Sequence, residues 1–396
     1  MIARRTVALL GVSQLVCWGV SFYLIGVFGD RIVADTNWSR SFVFGGFSVA
    51  LLVMGLMSPV VGKAIDRIGG GRVMAAGSLL TTAGCAVLAI GHSPVLYYAA
   101  WVCLGLSMRM TLYHAAFAAL ARIGGEAARR PISHVTLLGG LASTCFWPIG
   151  HALAESFGWR GAVLVYAGLA LATIPLHLAI PSDRPEEGTT GESKPNPVAS
   201  ETAPWNRFTA AVLYALIISL STGLSSAMSA HLISLLTELG LAATLAVSIA
   251  ALRGIGQSSA RLAEVLFGKR LHPIDLNLIA TFLLPLCFVV GLASGGYVTA
   301  AIAFSFFYGA GNGLMTITSG TMPLVLFDVR TYGAFVGKLA VPSFLLAAIS
   351  PLAFAFGVER LGAQGVLYVS AGTALIMFVA AILLRVLAPR PSPGGG

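Results

Sequence analysis

The stretch VLYYAAWVCLGLSMRMTLYHAAFAALA, residues 95–121, decides how this chain folds. It exceeds the roughly 20 apolar residues that a helix needs to cross a bilayer, and its only full charge is Arg109, close to the middle. A second run, AATLAVSIAALRGIGQSSARLAEVLFG at residues 242–268, sets Arg253 at a comparable depth. A cation at the centre of a spanning helix costs about 2.5–3.5 kcal/mol even on the lenient insertion scale. Each arginine therefore needs an offset, either an anionic ligand in a wet cavity or a buried acid. No Asp or Glu lies deep in any apolar run, since Glu155 and Glu264 sit near run ends. Backbone carbonyls and helix termini are the structural alternative for both guanidinium groups.

Outward from these two runs the chain keeps the same character. Of its 396 residues, 57% are hydrophobic and 10% charged, where a soluble domain carries about 25% charged residues. The chain reads as an integral membrane protein, and as all-α, because an open sheet leaves backbone groups unsatisfied in lipid. Twelve transmembrane helices are predicted, at 6–27, 41–62, 73–91, 95–121, 132–155, 161–180, 208–235, 242–266, 276–293, 297–322, 333–356 and 365–388. Between the sixth and seventh, PSDRPEEGTTGESKPNPVASETAPWNR (181–207) has the Pro, Gly, Ser, Thr and Glu content of a flexible linker. The expected organisation is a polytopic protein of two pseudo-symmetric six-helix bundles, 1–180 and 208–396, joined by a cytoplasmic linker at 181–207. The first run follows Arg4 and Arg5 as a signal peptide would, yet it is long and has a polar face of Gln14, Trp18 and Ser21. It is read as a retained span.

Basic residues set the orientation. Eighteen of the 24 Lys and Arg fall on the side of the N-terminus, and only Arg31, Arg40, Arg160 and Arg360 fall on the other. Both termini are expected in the cytoplasm, in a bacterial inner membrane. The net charge of +9 then reflects topology, and no nucleic-acid partner is expected. The five cysteines all lie in apolar runs without metal-ligand spacing, which predicts packing residues and no metal site. No cofactor motif appears. A Gly-x-Ser-x-Gly elbow, a His-Glu-x-x-His helix, a P-loop and a clustered carboxylate pair are all missing, which argues against an enzyme.

Two loops repeat one another. Gly62-Lys-Ala-Ile-Asp66-Arg67-Ile-Gly-Gly-Gly-Arg72 separates spans 2 and 3, and Ala260-Arg-Leu-Ala-Glu264-Val-Leu-Phe-Gly-Lys-Arg270 closes span 8. Each places an acid four residues after a small residue and six before a basic one. Duplicated halves are typical of secondary transporters. The Gly62–Arg72 segment, in this loop of a twelve-span pattern, resembles the loop motif of the major facilitator superfamily. Gly70 and Gly71 stand where that motif usually has basic residues. The resemblance implies that Gly62, Asp66, Arg67 and Arg72, with Glu264 in the repeat, gate the cytoplasmic side through charge pairs and a helix N-terminus. Phe28-Gly-Asp30, Asn37-Trp-Ser-Arg40, Phe47-Ser48 and Ser58-Pro59 resemble the monocarboxylate and oxalate–formate exchanger branch. Drug–proton antiporters usually carry an Arg four residues before a Gly in span 4. Here Trp101 precedes Gly105 by that spacing.

The resemblance implies a central cavity lined by spans 1, 4, 7 and 10. Tyr308, Asn312, Thr316 and Ser319 share a face of span 10, and Ser219, Thr222, Ser226 and Ser229 share a face of span 7. Arg109 and Tyr113 on span 4, Gln14 and Trp18 on span 1, and Arg253 on span 8 complete the expected substrate contacts. A guanidinium is always charged and its planar fork matches carboxylate or phosphate, so the site is expected to take a small organic anion, such as a monocarboxylate, between the two halves. Exchange against a counter-anion needs no titrating group. Proton coupling needs one, and His114 is the candidate, against a plain cavity-wall role. The functional expectation is a monomeric secondary transporter in lipid. An efflux carrier for a drug or toxic compound is the alternative within transport, and a non-transporting receptor is the alternative outside it.

Overall fold

The structure, a computed structural model, describes residues 2–182, 204–268 and 271–387. Most of the expected linker at 181–207 therefore lies outside the described residues, as do Arg184, Lys194, Lys269, Arg270 and Arg390 of the orientation count. Every regular element among the described residues is helical. In chain order they are α1 (Arg4–Cys17), a π-helical turn (Trp18–Phe22), α2 (Leu24–Thr36), α3 (Arg40–Ile68), α4 (Gly70–Ile90), α5 (Pro94–Thr111), α6 (Tyr113–Gly124), α7 (Arg129–Gly140), α8 (Ala142–Leu178), α9 (Pro204–Glu238), α10 (Ala243–Phe267), α11 (Pro273–Gly291), α12 (Val298–Leu326), α13 (Tyr332–Leu339) and α14 (Val341–Leu387).

Local chemistry sets the starts and stops. Ser39 and Ser93 cap α3 and α5 by accepting hydrogen bonds from Phe42 N and Leu96 N, and Pro94 occupies the first helical position. Asn37 closes α2 in the left-handed conformation at φ 57°. Two long helices are interrupted at a glycine of positive φ. In α8 it is Gly158 (φ 68°, ψ 167°) and in α14 Gly362 (φ 70°, ψ 173°). These turns fall between the fifth and sixth and between the eleventh and twelfth expected spans, so the halves share a bend that the sequence comparison of loops did not reveal.

Among the described residues, eight continuous helical stretches are long and apolar enough to cross a membrane. The stretch Pro94–Leu178 contains the fourth, fifth and sixth expected spans, and Val329–Leu387 contains the eleventh and twelfth. The eighth expected span, α10, falls outside the eight because Arg253, Gln257, Ser258 and Ser259 lower its mean hydropathy. The chain is thus a multi-pass membrane protein whose most polar spanning segment carries one of the two central arginines.

Backbone contacts divide the chain into two compact units, Met1–Arg184 with Arg330–Ala348, and Pro185–Val329 with Ile349–Gly396. Residues 330–348 fall in the second bundle of the sequence division but group with the first unit. The physical reason is a close helix crossing. A Cβ on Gly337 would lie 2.6 Å from Ser58 O, and one on Gly62 would overlap Gly333 O. Trp101, Tyr166, Phe28 and Leu104 are fully buried in the first unit. In the second unit the ring centroids of Phe288 and Tyr308 lie 5.5 Å apart, and α12 packs on α10 along a seam of glycines.

Candidate functional site

The second unit gathers its polar side chains around Arg253. The seam explains why. Cβ atoms at Gly256 and Gly309 would overlap the carbonyl oxygens of Phe306 and Arg253, and one at Gly313 would lie 2.6 Å from Gln257 O. Only glycine allows α10 and α12 this approach, so Gly309 and Gly313 form the small-residue pair that close helix packing in membranes uses. With the backbones so close, Arg253 reaches over the ring of Tyr308, its guanidinium carbon 5.4 Å from the centroid. Tyr308 itself is 1% exposed.

The remaining partners of Arg253 come from α9. One terminal nitrogen donates to Ser229 Oγ at 2.9 Å, and the other to Ser225 Oγ at 3.2 Å and Ser225 O at 3.4 Å. Asn312 Nδ2 donates to the same Ser225 Oγ at 3.0 Å. Ser229 Oγ donates its own proton to Ser225 O at 2.6 Å. Ser225 Oγ accepts from two donors, so its proton points away from both. A guanidinium has five N–H groups, and the serines do not engage them all. The half-buried cluster therefore presents donors, and no carboxylate pairs with Arg253 among the described residues. Two helical turns further along α10, Arg261 is 3% exposed and donates to Thr316 Oγ1 at 3.2 Å. Glu264 is the one acidic side chain buried among the described residues, and its Oε2 has no hydrogen-bond partner there.

In the first unit the other central arginine is enclosed. Arg109 is 2% exposed, with Nε donating to Ser58 Oγ at 2.8 Å and a terminal nitrogen to Ser58 O at 3.3 Å. Its second terminal nitrogen is buried without a partner. Span 4 is broken just beyond it. Leu112 is extended at φ −81°, ψ −173°, separating α5 from α6. Gln14 takes up the Thr111 carbonyl at this break, donating from Nε2 at 2.6 Å, while its Oε1 stays buried and unpartnered. Tyr113 donates to Thr136 O at 3.1 Å and stacks on Phe117, and Trp18 lies 4.9 Å from the Tyr113 ring. His114 meets Phe344 edge-on at 5.5 Å. Gln14, Trp18, Tyr113, His114 and Arg109 thus share one unit, and Arg253, Tyr308 and Asn312 share the other.

The loop motif occupies a helix terminus. Asp66 Oδ1 accepts from Gly333 N at 3.0 Å and Oδ2 from Ala334 N at 2.6 Å, which caps the first turn of α13. Gly62 packs on Gly333 one turn earlier. The cation beside Asp66 is Arg122, which donates to Asp66 O and, at 2.7 Å, to Ser182 O. Arg67 and Arg72 are exposed to the surroundings. Ser58, Arg122, Ser225 and Arg261 escaped the sequence reading. Ser225 was signalled by its four-residue spacing from Ser229, and Ser58 only as part of the Ser58-Pro59 resemblance, which gave it no bond to Arg109.

A multi-pass helical protein with duplicated turns, a capped loop motif and central arginines belongs to the class of polytopic carriers. The family model described as the Major Facilitator Superfamily matches residues 10–337, and the chain belongs to that family. It is a transporter and not an enzyme. The chain is 28% identical over 184 residues to the multidrug resistance protein MdtL of Vibrio parahaemolyticus serotype O3:K6 (strain RIMD 2210633), covering 44% of this chain and 45% of that relative. Its fold resembles the crystal structure of the human organic anion transporter MFSD10 (TETRAN), with a TM-score of 0.68, 17% identity, and 96% of this chain and 99% of that one covered. It also resembles a major facilitator transporter, FucP, in the outward conformation, with a TM-score of 0.75, 13% identity, and the same 96% and 99% coverage.

Proposed function

We propose that this chain is a secondary active transporter that carries a small organic anion, a monocarboxylate, across the bacterial cytoplasmic membrane by alternating access. The observation that supports it best is Arg253, a half-buried cation whose neighbours are hydroxyls, an amide and an aromatic face. Such a group attracts a carboxylate and repels a cation. In this reading Arg253 binds the anionic group, and Asn312, Tyr308 and Ser225 orient it. Arg109, Gln14, Trp18 and Tyr113 are the corresponding contacts of the first unit. Asp66 holds the gate with Gly62, while Arg67, Arg72 and Glu264 contribute charge on the same side. Functional halves at 1–180 and 208–396, cytoplasmic termini and a monomeric state go with this proposal. A counter-anion exchanged for the substrate would balance the charge, and His114 is the group through which a proton would couple instead. The branch the sequence resembles, the monocarboxylate and oxalate–formate exchangers, agrees with an anionic cargo.

The likeness to a multidrug resistance protein favours a second reading, export of a drug or toxic compound. Purified protein in liposomes separates the two. Uptake and counterflow of labelled acetate, lactate, oxalate and benzoate are measured beside extrusion of a cationic dye. Carboxylate flux that disappears in Arg253→Gln supports the proposal. Dye extrusion that survives Arg253→Gln, with no carboxylate flux, would end it in favour of export. Saturable carboxylate binding without flux would identify a receptor.

A further inference from the structure

Helices α3 and α13 cross in the first unit at two levels, four residues apart on each. Gly62 lies against Gly333, and Ser58 against Gly337, with Phe344 Cβ 3.0 Å from the Cβ that Gly55 would carry. At the outer level Asp66 caps α13. At the inner level the residue under the crossing is Ser58, and both of its acceptors are engaged by Arg109. Pro59, the next residue, offers no N–H to its helix, so α3 has lost a rung of its own ladder at this turn. Tyr332, the first residue of α13, lies within electrostatic reach of the same guanidinium. Arg109 is thus bonded to the residue on which α13 sits, and is 2% exposed, yet one of its nitrogens is buried and unpaired. A buried cation left partly unsatisfied is a strained arrangement that any nearby anion relieves.

We infer that Ser58 and Arg109 form a second lock on α13, independent of the Asp66 cap, and that an organic anion releases it by drawing Arg109 away from Ser58. The anion trigger rests on the proposed function, whereas the lock itself does not. Once Arg109 swings to a carboxylate, the Ser58 hydroxyl and carbonyl lose their charged donor where the two backbones touch. The inner half of the crossing then loosens while the Asp66 cap still holds the outer half. Arg109 and Ser58 act in this scheme as positioning residues for α13.

Hydrogen–deuterium exchange of the purified full chain in detergent reads the lock without any ligand. Ser58→Ala removes the hydroxyl without adding bulk at the crossing. Exchange of peptides covering 332–340 should rise about tenfold, the size expected when one charge-assisted hydrogen bond is lost. Peptides covering 94–104 of α5 should not change. No change at 332–340, or an even rise across α3, α4 and α5, overturns the lock. Asp66→Asn is the positive control for release of the same helix. The trigger is read by adding acetate, lactate or benzoate to wild type and to Arg109→Gln. Faster exchange at 332–340 in wild type alone supports it. A carboxylate that raises thermal stability yet leaves 332–340 unaltered overturns the trigger and spares the anion reading. If none of the three binds, the anion reading and the trigger fail together, and Ser58→Ala still decides the lock.

Discussion

Gly309→Ala tests the packing on which the Arg253 cluster depends. The added Cβ would lie 2.7 Å from the Arg253 carbonyl carbon and 2.9 Å from its Cα, and would overlap the oxygen. Carbon atoms rest at about 3.5–4.0 Å, so the two helices must part by about 1 Å. A gap of about 0.5–1 Å forfeits a quarter to a half of the dispersion at each facing contact. Backbone cannot rotate aside as a flexible side chain would, and the seam continues through Gly256 and Gly313. The loss is therefore placed at the top of the usual overpacking range of about 1–3 kcal/mol. The shift also lifts Arg253 off Tyr308 and Ser225, so carboxylate binding should weaken with stability. Thermal unfolding in detergent, with and without the carboxylate that best stabilises wild type, reads both effects. Gly254→Ala is the control on the facing helix, α10, because a Cβ there meets nothing within 4 Å. Alanine is favoured over glycine inside a helix by about 0.5–1 kcal/mol, so this variant should be neutral or slightly more stable. Equal stability and equal binding in both variants would refute the seam as the element that places Arg253.

Ser225→Ala leaves the charge of Arg253 in place but removes the oxygen shared with Asn312, and should raise the carboxylate Kd about ten- to a hundredfold, since a bond to a charged group is worth about 1.5–3 kcal/mol; titration calorimetry reads it, and an unchanged Kd denies Ser225 its orienting role. Tyr308→Phe keeps the aromatic face under the guanidinium and should bind nearly as wild type, whereas Tyr308→Leu should lose about 0.5–2 kcal/mol of affinity. Asp66→Asn retains one acceptor for the α13 amides but no charge, and should cost about 1–2 kcal/mol of their protection, seen as faster amide exchange at Gly333 and Ala334. Gln14→Leu exposes the Thr111 carbonyl at the break in span 4, so thermal unfolding should show a loss of about 1–3 kcal/mol; an unaltered midpoint would show that the break needs no cap.

Much of the fold was legible because lipid allows few solutions. The apolar runs predicted spanning helices, and helices occupy all twelve positions among the described residues. What periodicity could not reveal is where a span breaks. The residues Thr111, Leu112 and Tyr113 look like any apolar helix, and the break is legible only when Gln14 is seen on the freed carbonyl. The loop motif was legible through its residue types, but the partner of Asp66 lies 267 residues away at Gly333. No spacing rule reaches that far. The same limit applied to Arg122, which sits beside Asp66 where the neighbouring Arg67 would be the natural choice from sequence alone.

Arg109 and Arg253 make the point most sharply, because the sequence gives them nearly the same surroundings. Each lies amid small and apolar residues, and each meets serine on a neighbouring helix. Arg109 finds Ser58 pressed against Gly337 and bonds both its hydroxyl and its carbonyl, with little space remaining. Arg253 finds two serines a turn apart, Ser225 and Ser229, and an aromatic ring beneath, so it stays half-buried with donors to spare. The insertion cost of each cation is therefore met differently, by enclosure in one unit and by solvation through hydroxyls in the other. An enclosed cation resists a ligand until its helix seat moves, whereas a hydroxyl-solvated one accepts an anion directly. Under the proposed function these surroundings suit two different roles, recognition of cargo at Arg253 and release of a helix seat at Arg109, and one residue type serves both through the backbone it meets.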